Sequence, residues 1–417
     1  LHFLNLSQKE DHSRRVHSLV NDELMTDCSS IAYLRNRFFQ SVFTACPDDG
    51  DASTPLPSQL SVMPDIQITY EGIVSLLLNM NVKKSTGPDG IPNDLLQRYV
   101  EWVAHYLYII NASIEQKRAP DDSLVVKIVP THKGGDQQKV ENYRPISLTC
   151  VCCKLLEHII SKAMYTYLEG TKTFFPNQHG FWQNLSTLIQ LIETIDDFTR
   201  VLNNSVQIDP ICLDFSKAFD KVPHRELINK LAHLGINYNI IQWISAYLTG
   251  RTQYVEINGF KSESLSVTSG VPQGSVLGPI SFSTYTNDIS CGIDRSTTAR
   301  LFADDCLIYK EIHSEADPKT PNDILDAVSN WCTESKMEIN QTKTVALHVT
   351  SKSKRVFHSN YTLCSTRLST VNEIKYLGVT ISSNLNWRTH SENICVVVER
   401  KLWYLRRKLR LNSYYSR

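Results

Sequence analysis

The decapeptide LFADDCLIYK (residues 301–310) places two adjacent aspartates, Asp304 and Asp305, inside an otherwise apolar run. Aspartate favours turns because its side chain bonds nearby backbone groups and tolerates unusual dihedral angles, so a hairpin turn is one interpretation. Carboxylates in apolar surroundings are costly unless they are paired or bound to a metal, so a cation site is the other. On this decapeptide alone, the turn is the simpler explanation.

A second acidic strand end lies in ICLDFSKAFD (residues 211–220), where Asp214 ends a short apolar strand. If this strand neighbours the 301–310 segment in one sheet, Asp214 and Asp304 can meet. Two metal ions about 3.5 to 4 Å apart activate an attacking oxygen and stabilise a leaving one. Mg²⁺ prefers one or two carboxylates together with substrate phosphates. The pattern therefore predicts a two-metal site, with two unrelated strand-end aspartates as the alternative.

The composition is that of a globular protein, and bulk charge indicates no partner. The 417 residues are 41% hydrophobic and 21% charged with a formal net charge of zero, so any basic surface has to be local. No apolar run approaches the roughly 20 residues that a membrane span requires. The 11 cysteines are scattered and odd in number, and CVCC (residues 150–153) is too tight for a usual zinc knuckle, which predicts a reducing, intracellular compartment and no disulfide framework.

Strands and helices follow one another in an order unlike regular βαβα, which predicts an α+β sheet domain with helical additions. Apolar residues at helical spacing predict that residues 1–45 are helical, and the Pro-, Asp- and Ser-rich stretch 46–61 predicts a linker. Residues 124–148 predict two strands joined by a polar loop, and a hairpin is expected around Asn258-Gly259.

Two further segments are compatible with a nucleotide site. The Gly- and Pro-rich stretch SGVPQGSVLGP (residues 269–279) precedes a predicted helix and allows a substrate to approach the backbone closely. Lys133 and Arg144 flank a predicted hairpin tip and are residue types that bind phosphate. Each segment taken alone is equally an ordinary surface loop.

Eight stretches, in one order, are similar to the successive blocks of a known family. They are STGPDGIPNDLL, NYRPISL, NQHGF, LDFSKAFDKVPH, SGVPQGSVLGP, FADD, INQTKT and KYLGVTI. From about residue 70 to 390 the chain therefore resembles the reverse transcriptase of a non-long-terminal-repeat (non-LTR) retrotransposon, of the jockey-like, LINE-type group.

The resemblance implies an α+β right-hand polymerase with an antiparallel palm sheet packed on helices. The implied division is a helical N-terminal extension and linker (1–60), a fingers-rich part (61–205), a palm with the catalytic aspartates and primer grip (206–385) and the start of a thumb (386–417). Because the chain begins with Leu1 instead of Met and the thumb is incomplete at Arg417, we expect a fragment of a longer polyprotein.

The resemblance also implies roles for individual residues. Asp214, Asp304 and Asp305 are implied to be catalytic, metal-binding carboxylates, and Lys343 is implied to protonate the leaving pyrophosphate. The implied nucleotide-binding residues are Lys133 and Arg144 at the triphosphate, the backbone carbonyl of Phe215 at the nucleotide's metal, Phe219 as a steric gate against a 2′-hydroxyl, and Gln273 and Gly274 beside the nascent base pair. The implied primer grip is Tyr376, Leu377 and Gly378.

The implied reaction is phosphoryl transfer, in which a primer 3′-hydroxyl attacks the α-phosphate of a nucleotide and pyrophosphate leaves. The expected function is that of an RNA-directed DNA polymerase, acting inside the cell and, by the resemblance alone, in the nucleus. The expected cofactors are two Mg²⁺ ions, with Mn²⁺ as a substitute. The expected partners are an RNA template, a DNA primer and deoxynucleoside triphosphates, and no membrane is expected. The basic, aromatic tail at 399–417 is expected to contact the template–primer backbone or to be an ordinary charged helix face.

Departures from the family pattern keep other hypotheses open. Trp182 stands where the family has Arg, and Pro210 lies four residues before Asp214 on a strand expected to be central. Proline removes a ladder hydrogen bond and belongs at an edge, a strand start or a bulge. One alternative is therefore a decayed, catalytically inactive remnant that retains nucleic-acid binding. Another is an RNA-dependent RNA polymerase, which Phe219 disfavours because RNA synthesis needs room for the 2′-hydroxyl.

Overall fold

The chain combines short strands with helices in a mixed α/β order, as the sequence predicts. The computed structural model describes residues 18–20, 23–44, 62–108, 110–294, 296–314, 317, 319–351, 356–358 and 360–413. The predictions for residues 1–17, for the linker at 46–61 and for the tail at 414–417 lie outside the described residues.

Most strands are short, and the longest are the eight-residue β3, β5 and β10. The strands are β1 (Ser18–Val20), β2 (Glu23–Met25), β3 (Val125–His132), β4 (Tyr143–Leu148), β5 (Gln207–Asp214), β6 (Thr252–Ile257), β7 (Phe260–Lys261), β8 (Leu265–Ser266), β9 (Thr298–Phe302), β10 (Asp305–Ile312), β11 (Val345–Leu347), β12 (Thr362–Leu363), β13 (Thr366–Arg367), β14 (Ser369–Val371), β15 (Glu373–Tyr376) and β16 (Val379–Ser382).

The longest of the described helices are α14 with 26 residues and α7 with 20. The helices are α1 (Cys28–Ser41), α2 (Tyr70–Leu78), α3 (Asn93–Arg98), α4 (Val100–Tyr108), α5 (Ile110–Glu115), α6 (Asp121–Leu124), α7 (Val151–Gly170), α8 (Thr187–Asn203), α9 (Ala218–Lys221), α10 (His224–His233), α11 (Tyr238–Leu248), α12 (Leu277–Tyr285), α13 (Lys319–Glu334) and α14 (Arg388–Ser413). Short 3-10 helices cover Val140–Asn142 and Asn287–Gly292.

These elements belong to two compact units. Unit 1 holds the described residues up to Phe175, together with Lys217–Asp288 and Glu334–Met337. Unit 2 holds Pro176–Ser216, Ile289–Thr333 and the described residues from Glu338 onward. The units are not the segments 61–205 and 206–385 that the resemblance implies, and the assignment of those segments to fingers and palm stays a prediction.

The prediction that residues 1–45 are helical is wrong for residues 18–20 and 23–25, which are strands, and confirmed for α1. The strands β1 and β2 pair antiparallel, with Leu19 opposite Leu24. The helix begins only after Asp27, whose carboxylate accepts a hydrogen bond from the Ser30 N–H at 2.8 Å. Helical spacing of apolar residues therefore does not distinguish a helix from a short hairpin in this segment.

Unit 2 is built on a five-stranded sheet in the order β14-β11-β5-β10-β9. All neighbours in this sheet are antiparallel except β11 and β14, which are parallel. Helix α8 packs on one face through Phe198 and Val201, which bury Ile208 of β5 and Leu307 of β10. Burying such large apolar side chains stabilises the unit by about 1.5 to 3 kcal/mol each. The sheet thus holds β5 rigidly in its centre.

Pro210 lies within this central strand, which is an unusual position for a proline. It pairs in register with Tyr309 of β10, so the ladder on that side is continuous. On the β11 side, pairing covers Ile211 and Cys212 and resumes only at the isolated bridge between Ile208 and Val349. The break falls opposite the residue that has no N–H to donate. Pro210 therefore interrupts one ladder without displacing the strand.

Unit 1 is built on a second sheet in the order β4-β3-β6-β7, with β8 also paired to β6. Strands β3 and β4 form the predicted hairpin of residues 124–148. Strands β6 and β7 form the hairpin predicted around Asn258-Gly259, where both turn residues have positive φ, 51° and 83°. Helix α1 covers this sheet through Ile31 and Phe39.

Helix α14 occupies the part of the chain that the resemblance implies to be the start of a thumb. Its side chains from 391 to 409 are exposed on every face, including Trp403 and Leu409. The helix therefore carries its basic and aromatic residues outside either hydrophobic core.

Candidate active site

The LFADDCLIYK segment is a β-hairpin, so the turn interpretation is confirmed. Strands β9 and β10 pair with Phe302 opposite Asp305, which leaves Ala303 and Asp304 as the turn. Ala303 has a φ of 57°, a backbone conformation that non-glycine residues seldom adopt. Asp304 and Asp305 are both exposed. The hairpin thus carries two carboxylates at its tip.

The third aspartate lies beside this tip. Asp214 is the last residue of β5 and is directly opposite Asp305, the first residue of β10. Residues directly opposite in an antiparallel pair have neighbouring side chains on the same face of the sheet. The carboxylates of Asp214 and Asp305 are consequently neighbours where β5 ends and β10 begins, next to the carboxylate of Asp304 in the turn.

Lys343 extends this group of charges. Its Nζ is 3.7 Å from Asp214 Oδ2, and its side chain is 59% exposed. The loop that carries it is fixed to Asp214 by two hydrogen bonds, from Asn340 N–H to the Asp214 carbonyl at 2.7 Å and from Asp214 N–H to Thr344 Oγ1 at 3.3 Å. The INQTKT block is therefore held against the end of β5.

The carboxylates affect the titration of a neighbouring thiol. The pKa of Cys212 is raised to about 12, first by burial and then by the negative charges of Asp305 and Asp214. Two like charges held side by side favour a cation between them. The donors are hard carboxylate oxygens, the ligand type that Mg²⁺ prefers.

No group of three or more His, Cys, Asp or Glu side chains is arranged to hold a metal ion within the described part of the chain. A Mg²⁺ ion that keeps waters and substrate phosphates needs only one or two carboxylates from the protein. The paired Asp214 and Asp305 fit that requirement, with Asp304 adjacent in the turn. The arrangement suits an ion that arrives with a phosphate better than one that is resident in a closed cage.

Phe215 follows Asp214 and its side chain points into the interior. The ring packs edge-on against Trp331 at 6.2 Å, and the backbone bridges to Ile339. Only the backbone of Phe215 is therefore suited to a ligand role, as the resemblance implies.

Sequence reasoning gave no role to Gln178, which supports the aspartate hairpin directly. Its buried Oε1 accepts hydrogen bonds from Gly180 N–H at 2.9 Å and from Ala303 N–H at 3.2 Å. A Cβ at Gly180 would lie 2.1 Å from the Ala303 nitrogen, so only glycine allows this approach. The NQHGF block was the available signal, but its contact with a turn 125 residues away has no local pattern.

A buried charge network ties the same hairpin to α8. Arg300 of β9 binds Glu193 and, at 2.7 Å, Asp197, and Tyr309 of β10 donates to Asp197. Burial alone would lower the pKa of Arg300, but the hydrogen bonds to Asp197 and Tyr309 outweigh burial and raise it. Because an arginine with such partners stays charged, the network fixes both strands behind the aspartates.

The residues implied to form a primer grip lie in the β15–β16 hairpin of the same unit. Leu377 and Gly378 form its turn with φ values of 47° and 89°. Tyr376 is buried and accepts a hydrogen bond from Gln190 Nε2 at 3.1 Å. Tyr376 therefore anchors the hairpin. In the turn, Leu377 is half-buried against the same core and Gly378 is exposed.

In unit 1 the structure brings together Phe219 and Gln273. Main-chain hydrogen bonds of 2.7 and 2.8 Å, from Gly270 N–H to Val222 O and from Val271 N–H to Phe219 O, join the 269–273 segment to α9. The Phe219 ring stacks on Phe282, with centroids 4.4 Å apart. Gln273 Nε2 donates to Asp220 Oδ1 at 2.8 Å. Asp220 and Gln273 line a small cavity of about 30 Å³.

Gly274, Arg144 and Lys133 are placed along the β3–β4 hairpin. Gly274 has a φ of 102°, and a Cβ there would lie 3.1 Å from the Ser147 carbonyl of β4. The β3–β4 register puts Arg144 opposite Thr131, and Lys133 N–H bonds Asn142 O at 2.8 Å. Lys133 and Arg144 are both exposed, and the register places them on one face of the hairpin.

No helix in the described ranges has both the length and the apolar character needed to cross a bilayer.

The chain is similar to known proteins over most of its length. Residues 131–381 match the family model described as reverse transcriptase (RNA-dependent DNA polymerase). The chain is 27% identical to the probable RNA-directed DNA polymerase from transposon BS of Drosophila melanogaster over 383 residues, 89% of this chain and 42% of that protein. It is also 27% identical to the RNA-directed DNA polymerase from mobile element jockey of the same species, over 81% of this chain and 37% of that protein.

These matches confirm the resemblance to reverse transcriptases of jockey-like, non-LTR elements. The chain spans about two fifths of the length of these two relatives. The family match covers residues 131–381 and includes every site residue predicted from sequence. The chain belongs to the reverse transcriptase (RNA-dependent DNA polymerase) family.

Proposed function

We propose that this chain is an RNA-directed DNA polymerase of a non-LTR retrotransposon. The observation that carries the proposal is the register of unit 2, in which Asp214 faces Asp305 beside the Ala303-Asp304 turn. The family membership supports the same reaction. The proposed substrates are an RNA template, a DNA primer and deoxynucleoside triphosphates, and the proposed site of action is the nucleus.

The proposed catalytic residues act by position and charge. Asp214, Asp304 and Asp305 would hold two Mg²⁺ ions, with the Phe215 carbonyl as a further ligand. When bound, the ions activate the primer 3′-hydroxyl and neutralise charge on the phosphates. Lys343 would give a proton to the pyrophosphate oxygen as the bond to the α-phosphate breaks, and its position 3.7 Å from Asp214 supports this role. The rigid sheet under Asp214 supplies the positioning on which phosphoryl transfer mainly depends.

The proposed nucleotide-binding residues are those of unit 1. Lys133 and Arg144, exposed on one face of the β3–β4 hairpin, would bind the triphosphate. Phe219, backed by the stacked ring of Phe282, is a rigid surface that would exclude a 2′-hydroxyl. Gln273 and Gly274 would line the nascent base pair. Leu377 and Gly378, in unit 2, would contact the primer.

The finer fold assignment is part of the proposal. The mixed α/β architecture is consistent with a right-hand polymerase in which 61–205 is fingers-rich, 206–385 is the palm and 386–417 begins a thumb. The sheet beneath Asp214 supports the palm assignment, because its pairs are antiparallel except for β11 with β14. The exposed basic and aromatic residues of α14 support a role in contacting the template–primer backbone.

Primer extension tests the proposed activity. Purified protein receives oligo(dT) on poly(rA), dTTP and Mg²⁺, beside the variant Asp304→Asn/Asp305→Asn. The matched control is Asp326→Asn, an exposed aspartate on α13. We expect extension by the parent and by Asp326→Asn, and none by the double variant.

Absence of extension by folded parent protein would contradict the proposal and favour an inactive remnant. Electrophoretic mobility shift of the same template–primer would then measure whether nucleic-acid binding persists. Recovery of extension by Trp182→Arg would attribute the loss to sequence decay.

A further inference from the structure

Gln273 is fixed more tightly than a loop residue requires. Its carbonyl accepts a hydrogen bond from Ser147 N–H at 2.7 Å, and its side-chain Nε2 donates to Asp220 at 2.8 Å. Farther along the loop, the buried Glu157 carboxylate accepts from Val276 N–H at 2.6 Å and Leu277 N–H at 3.1 Å. Backbone and side chain of the loop are therefore held by separate partners.

Asp220 is an unusual hydrogen-bond partner for the half-buried Gln273, because its carboxylate is buried, with 8% of the residue's surface exposed. Burial raises the pKa of Asp220 to about 6, against the opposing effects of Gln273 and Lys217, so the group is ionised at neutral pH. An ionised carboxylate only accepts hydrogen bonds. The amide nitrogen of Gln273, and not its oxygen, must therefore face Asp220.

This one contact settles the orientation of the Gln273 carboxamide. With Nε2 committed to Asp220, Oε1 faces the other way, as an acceptor for whatever binds at Gln273. Without a charged acceptor, an amide can rotate by half a turn at little cost and exchange its donor for its acceptor. Asp220 is held in turn, since its carbonyl accepts from Ser269 Oγ at 2.8 Å and Gly270 leaves no room for a Cβ beside it.

We propose that Asp220 is a positioning residue, which fixes the Gln273 carboxamide in the orientation that binds the incoming deoxynucleotide. The inference rests on the proposed nucleotide role of Gln273. It gives Asp220 a role that is separate from the steric gate proposed for the neighbouring Phe219. If Asp220 instead only fastens the loop, its role is equivalent to that of Glu157, whose hydrogen bonds to the loop are with backbone N–H groups.

A double-mutant cycle on nucleotide affinity distinguishes these roles. The equilibrium Kd of dTTP is measured on the protein bound to poly(rA) with a dideoxy-terminated oligo(dT), so that no turnover is needed. We expect Asp220→Ala to weaken dTTP binding about tenfold, which is about 1.4 kcal/mol. In a Gln273→Ala background the same substitution should have little effect, because the amide that it orients is gone.

The matched control is Glu157→Gln, which disturbs the loop and not the amide. Its effect on the Kd should be the same in the Gln273 parent and in the Gln273→Ala background. Equal effects of Asp220→Ala in both backgrounds, or no dTTP binding by the parent, would overturn the inference. Failure of the polymerase proposal appears separately, as absent extension of an unterminated primer.

A spectroscopic measurement tests the contact itself. In protein labelled with ¹⁵N-glutamine, the Gln273 side-chain NH₂ signals are identified by their loss in Gln273→Ala. Lowering the pH from 8 to 5 should shift them with a midpoint near 6, and Asp220→Asn should abolish the shift. The nearby His224 has its pKa lowered by burial to about 4, which lies below this range. Arg251 and Lys217 are the other charged side chains near Asp220. A shift that persists in Asp220→Asn would refute the assigned contact.

Discussion

At Lys343, proton donation and simple charge pairing predict different results. A general acid contributes about 10²- to 10⁴-fold to a rate, and an exposed ion pair with Asp214 contributes little. We expect Lys343→Ala to lower the primer-extension kcat by about a hundredfold or more, with the KM for dTTP changed far less. Lys343→Arg keeps the charge but donates a proton poorly, since its pKa exceeds 12. Full activity of Lys343→Arg in single-turnover assays would contradict the proton-donor role.

Phe219 is the residue at which sugar discrimination should be decided. Its ring stacks on Phe282 with an interplanar angle of 13°, so it has little freedom to move aside for a 2′-hydroxyl. We expect Phe219→Ala to raise the incorporation of UTP relative to dTTP by at least about tenfold, the equivalent of 1.4 kcal/mol. The ratio of kcat/KM values measures this effect.

The control for Phe219→Ala is Phe219→Tyr, which keeps the ring and should keep the discrimination. Unchanged UTP incorporation by Phe219→Ala would refute the gate assignment. If Phe219→Ala loses all activity while Phe219→Tyr keeps the discrimination for dTTP, the result would point instead to a packing role beside Phe282.

The turn of the β9–β10 hairpin packs closely against Gly180, a residue with no catalytic group. A Cβ at Gly180 would lie 2.1 Å from the Ala303 nitrogen and 2.9 Å from its Cα, so Gly180→Ala must push the turn away. We expect this variant to lose most primer extension while circular dichroism shows a retained fold. Gly170→Ala at the end of α7, where a Cβ meets nothing within 4 Å, is the control and should stay active. Normal activity of Gly180→Ala would show that the turn is not held by this contact.

Strand ends were predictable from sequence, but what holds them was not. The apolar runs and their terminal aspartates predicted β5 and β10, because those patterns are local. They predicted that Asp214 meets Asp304, whereas the register places Asp305 opposite Asp214 and Asp304 in the adjoining turn. The supports at Gln178 and Asp220 come from residues distant along the chain, and a single Gln or Asp carries no pattern that names its partner. Pro210 argued for an edge position on local grounds, yet the sheet retains it centrally by breaking one ladder. The mistaken helix at 18–20 and 23–25 has the same origin, since apolar spacing alone does not choose between a helix and a short hairpin.

For the molecule as a whole, two buried groups give opposite pH dependences of stability. Burial raises the pKa of Asp220 from 3.8 to about 6, so the native state binds more protons between those values and stability falls as pH rises. Burial lowers the pKa of His224 from 6.5 to about 4, so the unfolded state binds more protons there and stability rises with pH. Each effect is about 3 kcal/mol, and the two offset one another.

Replacing either Asp220 or His224 should therefore make the pH dependence of stability that comes from the other group measurable. Compared with the parent, Asp220→Asn should lose about 3 kcal/mol of unfolding free energy as the pH falls from 6.5 to 4. His224→Asn should gain a similar amount relative to the parent over the same range. Chemical denaturation at several pH values measures both, and differences between variants cancel the other carboxylates. Differences of the same sign would contradict the assignments.

The path of the chain between the two units has a consequence for shortened copies of the gene. The chain passes from one unit to the other five times, after residues 175, 216, 288, 333 and 337. A stop codon or frameshift anywhere between Pro176 and Met337 would therefore leave both units incomplete at once. No such truncation could yield a product that keeps either unit whole, so both units depend on the same uninterrupted reading frame through Met337.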